Sequence, residues 1–203
     1  LLARASYQVG DLGTAVSEYE RVLGQGQTGE DVWLGFGRSL LQQGKATEIV
    51  ERVLPNISED SDNVESLVFQ GNVMAVLRNL DEAEKYYSRA LELAPSDPEA
   101  LVGMAGVVAA NGDNEGAAQL VDKGVEQNPD SAFAWRSKGN YERTQRNLEA
   151  AASAYTESER LEPLHPPFLD RFMTRVSHVG VLIDDKQHDA AQTQLSDMVR
   201  QGM

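Results

Sequence analysis

Cysteine is missing from this 203-residue chain. That removes disulfides and thiolate metal sites, and it leaves the redox compartment unreadable. Basic residues are scarce: 18 Lys+Arg stand against 32 Asp+Glu, a net charge of −14. Nucleic-acid binding rests on basic patches, so no nucleic-acid partner is expected. The acid excess suits a basic or neutral partner. A long apolar run is also missing. The longest, Ala100 to Ala110, is Ala/Gly-rich and far short of the roughly 20 residues that span a bilayer. No signal peptide is visible, so direct membrane insertion by this segment is not expected. The chain opens without Met, on Leu1-Leu2-Ala3-Arg4-Ala5 in helical phase, and reads as a piece of a longer protein.

Chemistry-bearing patterns are equally thin. His165, His178 and His188 are the only histidines, with no two at i, i+4, so no metal site is expected. Asp184-Asp185 and the acidic residues 59–62 lack the ligand and glycine pattern of a calcium loop. No Ser sits on a nucleophile elbow. Gly24-Gln25-Gly26-Gln27-Thr28-Gly29 spells G-x-G-x-x-G, but a helical pattern precedes it instead of a strand, so it reads as a loop. Neither an enzymatic activity nor a cofactor is expected.

What is present is a period. Pro95, Pro129 and Pro163 recur at a constant step of 34, each after a helix-like segment. The same step from Gly10 gives Gly44, Arg78, Gly112 and Arg146. From Ala3 it gives Gly37, Gly71, Ala105 and Gly139; from Ala15, Ile49, Ala83, Ala117 and Ala151. Tyr19, Val53, Tyr87, Val121 and Tyr155 form another column, as do Trp33, Leu67, Leu101 and Trp135. Fixed self-similarity of this length signals stacked supersecondary units. Each unit holds two segments of about 14 residues with apolar residues at helical spacing. A turn such as Asn111-Gly112-Asp113 separates them, and proline stops the second helix. Gly71, Ala105 and Gly139 are expected to face Ala83, Ala117 and Ala151, with Tyr87, Val121 and Tyr155 filling the space against the next unit. Trp33 and Trp135 are expected inside the hairpins. Pro55 shortens the second helix of its unit and leaves Ser58 to Asp62 as loop. Ala191 follows Ala151 at a step of 40 instead of 34, which predicts a longer helix from about Pro167 to Ile183.

These columns resemble the tetratricopeptide repeat, whose pattern is W-x2-L-G-x2-Y, then Ala, an aromatic, Ala and Pro. The unit from Val64 to Asp97 places Leu67, Gly71, Met74, Ala83, Tyr87, Ala90 and Pro95 in the pattern. The unit from Ala132 to His165 places Trp135, Gly139, Ala151, Tyr155 and Pro163. The resemblance implies an all-α right-handed superhelix, an α-solenoid of about five and a half helix-turn-helix repeats. One array covers 1–203, divided into a partial unit 1–29, then 30–63, 64–97, 98–131, 132–165 and an irregular 166–203.

The resemblance further implies that the first helices line a concave groove binding a protein or peptide. The implied groove positions are Leu34, Arg38 and Leu41; Val68, Phe69, Asn72 and Val76; and Val102, Gly103, Gly106, Ala109 and Ala110. They continue with Phe133, Arg136, Asn140 and Arg143, then Arg171 and Thr174. An apolar floor in the third and fourth units suits an amphipathic helix. The arginines beyond it suit carboxylates. Chaperone-binding members of the family clamp an acidic C-terminus over three successive units. Here Arg136 and Asn140 fill two clamp places, Arg171 stands where Asn is needed and no third unit follows, so that role is disfavoured. A homodimer through exposed repeat ends stays open.

The wording of several repeats, such as ALVGMAGVVAANGDNEGA and SAFAWRSKGNYERTQRNLEAAASAYTESERLEP, is similar to the long repeat lipoproteins of exosortase/PEP-CTERM exopolysaccharide systems. That resemblance implies a periplasmic or envelope-associated scaffold. A cytoplasmic adaptor or chaperone for a helical partner, and the repeat arm of a larger enzyme such as a glycosyltransferase, are the alternatives.

Overall fold

The computed structural model describes residues 1–59, 61–162 and 168–201, with backbone alone for 168–170. Pro163, His165 and Asp60 lie outside the described residues. The elements are α1 Leu2–Gln8, α2 Leu12–Gly24, α3 Glu30–Gln42, α4 Ala46–Arg52 and a 3-10 turn at Leu54–Asn56. Then follow α5 Val64–Val76, α6 Leu80–Leu93, α7 Pro98–Ala110, α8 Asn114–Gln127, α9 Ala132–Thr144, α10 Leu148–Leu161, α11 Phe168–Asp184 and α12 His188–Arg200. No strand occurs among the described residues. Neighbours in sequence pack on one another as antiparallel hairpins stacked in file, the arrangement of an α-solenoid.

Local chemistry sets the boundaries. The starts of α3, α5, α7 and α9 keep the repeat step throughout, and so do the starts of α2, α4, α6, α8 and α10. Asp11, Asp97, Asp113 and Ser131 accept backbone N–H bonds at helix N-termini, from Thr14 (3.1 Å), Ala100 (2.8 Å), Gly116 (2.8 Å) and Ala134 (3.2 Å). Each satisfies a donor that the helix leaves unpaired. Pro95 and Pro129 stand just beyond the ends of α6 and α8. Within each hairpin the turn takes a left-handed residue. Gly10, Gly44 and Gly112 occupy it at φ 79°, 73° and 93°, while Arg78, Arg146 and Lys186 occupy it at 62°, 64° and 60°.

The core runs along the whole file. Ala83, Ala117 and Ala151 are fully buried where the two helices of a hairpin meet. The glycines opposite are used differently from the small-on-small expectation. A Cβ on Gly71 would stand 2.6 Å from the Tyr87 ring, and one on Gly139 would stand 2.6 Å from the Tyr155 ring. Each glycine therefore makes room for a tyrosine of its own hairpin. Tyr87 also lies over Gly103 of the next hairpin, where a Cβ would overlap it. Gly103 thus serves the junction and is not a groove residue. Where the column holds the smaller Val53, Phe69 of the next unit reaches back into the space above Gly37. Burying a side chain of that size contributes about 1.5–3 kcal/mol. Trp33 is half-buried beside Phe36, at 6.3 Å between rings. Trp135 is half-buried too, and its indole N–H donates to the Pro129 carbonyl at 2.9 Å.

Candidate binding groove

The first helices bring their exposed faces to one cleft of about 400 Å³. Tyr7 and Gln8 come from α1, Arg38, Leu41 and Gln42 from α3, and Phe69 and Asn72 from α5. Glu99 comes from α7, and Phe133 and Arg136 from α9. Six of the implied groove positions, Arg38, Leu41, Phe69, Asn72, Phe133 and Arg136, meet there. They belong to three different repeats and are adjacent only because the hairpins stack.

The cleft is polar at its tips and apolar beneath. The Gln42 amide donates to the Tyr7 hydroxyl at 2.9 Å. The Tyr87 hydroxyl donates to Asn72 Oδ1 at 2.7 Å, and Tyr155 holds Asn140 Oδ1 in the same way at 2.7 Å. Both carboxamides therefore have their oxygens tied to a buried phenol. Burial pushes the Tyr87 and Tyr155 phenols above their ordinary value, most strongly at Tyr87. These side chains stay neutral donors across the physiological range.

Several implied groove residues are placed otherwise. Leu34, Val68 and Phe69 are 3%, 2% and 1% exposed. They are packing residues, and only the edge of Phe69 reaches the cleft floor. A repeat column identifies the first-helix face but not how far each neighbour closes over it. Arg38 is held by Glu65 at 2.6 Å. Arg136 lies over the Phe133 ring at 5.7 Å and 3.7 Å from the buried carboxylate of Glu162. Of the arginines assigned to an acidic partner, Arg136 is thus already answered inside the chain. Val102 is half-buried, and Gly106, Ala110 and Val76 are exposed, but none of the four lines the cleft.

Arg171 and Thr174 need correction for another reason. α11 has 17 residues against 13 in α9, and both end at equivalent places, Asp184 and Thr144. The extra length sits at the start of α11, so the rest of that helix follows α9 at a step of 40. Thr174, fully buried, then matches Ala134 at 1% exposure. Arg171 falls before the groove face. The positions matching Phe133, Arg136, Asn140 and Arg143 are Met173, Val176, Gly180 and Ile183. Sequence spacing missed them; counting back from Ala191 would have found them.

Among the described residues, no group of three His, Cys, Asp or Glu side chains comes together. His178 is enclosed by Glu159 (2.7 Å) and Gln194 (2.8 Å) in a buried polar network. His188 opens α12. The G-x-G-x-x-G residues close α2 and form the loop before α3, with Gly29 as its N-cap. No described helix is long and apolar enough to cross a membrane.

Comparison with known proteins points one way. Residues 77–138 match the family model described as tetratricopeptide repeat. No curated protein sequence matches significantly. Among solved structures, a thermophilic tetratricopeptide protein of Thermus thermophilus, TTC0263, superposes with a TM-score of 0.68 at 14% identity. The match covers 90% of this chain and 96% of that one. The APC/C hetero-tetramer Cut9-Hcn1 matches at a TM-score of 0.66 and 16% identity over 95% of this chain. This chain spans 37% of that larger one. MamA matches at a TM-score of 0.54 and 17% identity, over 79% of this chain and 94% of MamA. At these identities the likeness is one of fold.

Proposed function

We propose that this tetratricopeptide solenoid is a non-catalytic scaffold that holds a peptide or helical segment of another protein in its concave cleft. The cleft itself carries the reading. Five first helices converge on one trough with aromatic faces at Tyr7 and Phe133, amide tips at Gln8, Gln42 and Asn72, and charges of both signs. That mixture matches the polar and apolar demands of a polypeptide. The proposed setting is a bacterial envelope system for exopolysaccharide or secretion, periplasmic or envelope-associated. It is supported by the wording of the repeats quoted above.

The test is in-cell photocrosslinking from position 42, followed by identification of the bound segment. A Phe133→Ala version carrying the same crosslinker, with unchanged circular dichroism, is run beside it. Crosslinks to a defined partner segment that vanish with Phe133→Ala support the cleft. Capture that ignores Phe133→Ala moves binding off it. Phe69→Glu is unsuitable as a probe, because it would bury a charge in the core.

A further inference from the structure

The last hairpin extends the groove with a face that the repeat period conceals. In the shifted register Met173, Val176, Gly180 and Ile183 continue the rows of Phe133, Arg136, Asn140 and Arg143. They recur at i, i+3, i+7 and i+10, one stripe of a helix. The stripe is uncovered: Met173, Val176 and Ile183 are 49%, 43% and 49% exposed. In the same stretch of α11, Thr174, Val179, Val181 and Leu182 are buried. The Arg143 guanidinium lies against the stripe at Gly180, 3.6 Å from where a Cβ would stand. Arg143 is exposed and makes no ion pair among the described residues. In a chain of net charge −14, Arg38 and Arg136 both have an internal carboxylate close by; among the described residues Arg143 has none. Beside it, Tyr155 holds Asn140 by its oxygen, which leaves the amide N–H groups directed away from the phenol. Arg143 also borders that phenol.

We propose that the α9–α11 end of the groove docks an amphipathic helix of a partner protein. Its apolar stripe lies on Met173, Val176 and Ile183. An Asp or Glu at the stripe's edge is received by Arg143 and the Asn140 amide. This rests on the scaffold reading and adds the partner's chemistry and place. A helix suits the site because an apolar stripe at helical spacing matches one presented at i, i+3, i+7 and i+10. The carboxylate follows from charge: a guanidinium that no described acid answers gains most from an anionic partner, through a charge-assisted hydrogen bond in a partly dry setting.

The experiment places a photocrosslinking residue at Val176 and, separately, at Gln42 in the full-length protein in its own cell, and maps the captured segment. A peptide of the segment captured from 176 is then synthesised and titrated by fluorescence anisotropy. The expected segment has apolar residues at i, i+3 or i+4 and i+7 with an adjacent Asp or Glu. Its affinity should fall about tenfold with Arg143→Gln, and the fall should disappear when the peptide's acid is replaced by its amide. Capture from 42 but not from 176 leaves the scaffold reading standing and overturns this inference. Capture from neither overturns both. A crosslink from 176 to a second copy of this chain, to a Lys/Arg-rich segment or to a Pro-rich extended one also overturns it, as does Arg143→Gln binding the peptide unchanged.

Discussion

Arg78, Arg146 and Lys186 hold the left-handed turn that Gly10, Gly44 and Gly112 hold elsewhere in the same column. A residue with a Cβ costs roughly 1–2 kcal/mol in that conformation, and glycine returns part of the gain as unfolded-chain entropy. Arg146→Gly should therefore raise stability by about 0.5–1 kcal/mol. The expected signature is a higher urea midpoint with an unchanged slope. A lower midpoint would mean that the Arg146 side chain contributes more than its backbone costs. The column was legible in the sequence as a fixed period. The two arginines do not look like turn residues, and only their alignment with Gly112 marked them.

At the scale of the element, the decisive contact is a tyrosine ring laid on bare backbone: Tyr19 on Gly35, Tyr87 on Gly71 and Gly103, and Tyr155 on Gly139. The positions of these tyrosines were legible, but their seats were not. Gly71 and Gly103 belong to successive repeats, and only stacking brings both against one ring. The buried phenols have a measurable consequence. Tyr19, Tyr87 and Tyr155 are each held above the ordinary value, mainly by burial. A group whose folded pKa is raised adds stability below its unfolded pKa and loses it as pH climbs toward the folded value. Melting temperature should thus hold up to about pH 10, the pKa of a free tyrosine, and fall beyond it. Tyr87→Phe should start lower by about 0.5–1.5 kcal/mol, for the lost bond to Asn72. Its decline above about pH 10 should be shallower, which a series of melts between about pH 9 and 11.5 would show. Parallel declines would exclude Tyr87 as a source.

The whole molecule is a file in which each hairpin touches mainly its neighbours. Its stability is close to a sum of units and junctions, so the ends open first. The short α1 exposes Leu2, with Val9 exposed just past its end; α12 exposes Leu195 and Val199. Leu195 stands in the column whose inner members, Val53, Tyr87, Val121 and Tyr155, are at most 4% exposed. Hydrogen exchange should release the amides of α1 and α12 at least about tenfold faster than those of α6. Uniform protection along the chain would show instead that the ends are covered, as in a dimer through them.

Two kinds of information divide cleanly here. The all-α architecture, the hairpin period, the short helix before Pro55 and the long α11 followed from sequence alone. Each depends on residues close together in the chain: a cap, a turn glycine, a proline or a helical spacing. Tertiary structure decided which first-helix residues remain exposed, which arginines already have a carboxylate, and where the groove runs after the inserted residues. Exposure and charge pairing depend on neighbours one or two repeats away. The repeat pattern puts Phe69, sixth in its unit, and Phe133, second in its own, on the same face, yet only the packed neighbours bury the first almost completely and leave the second more open in the cleft.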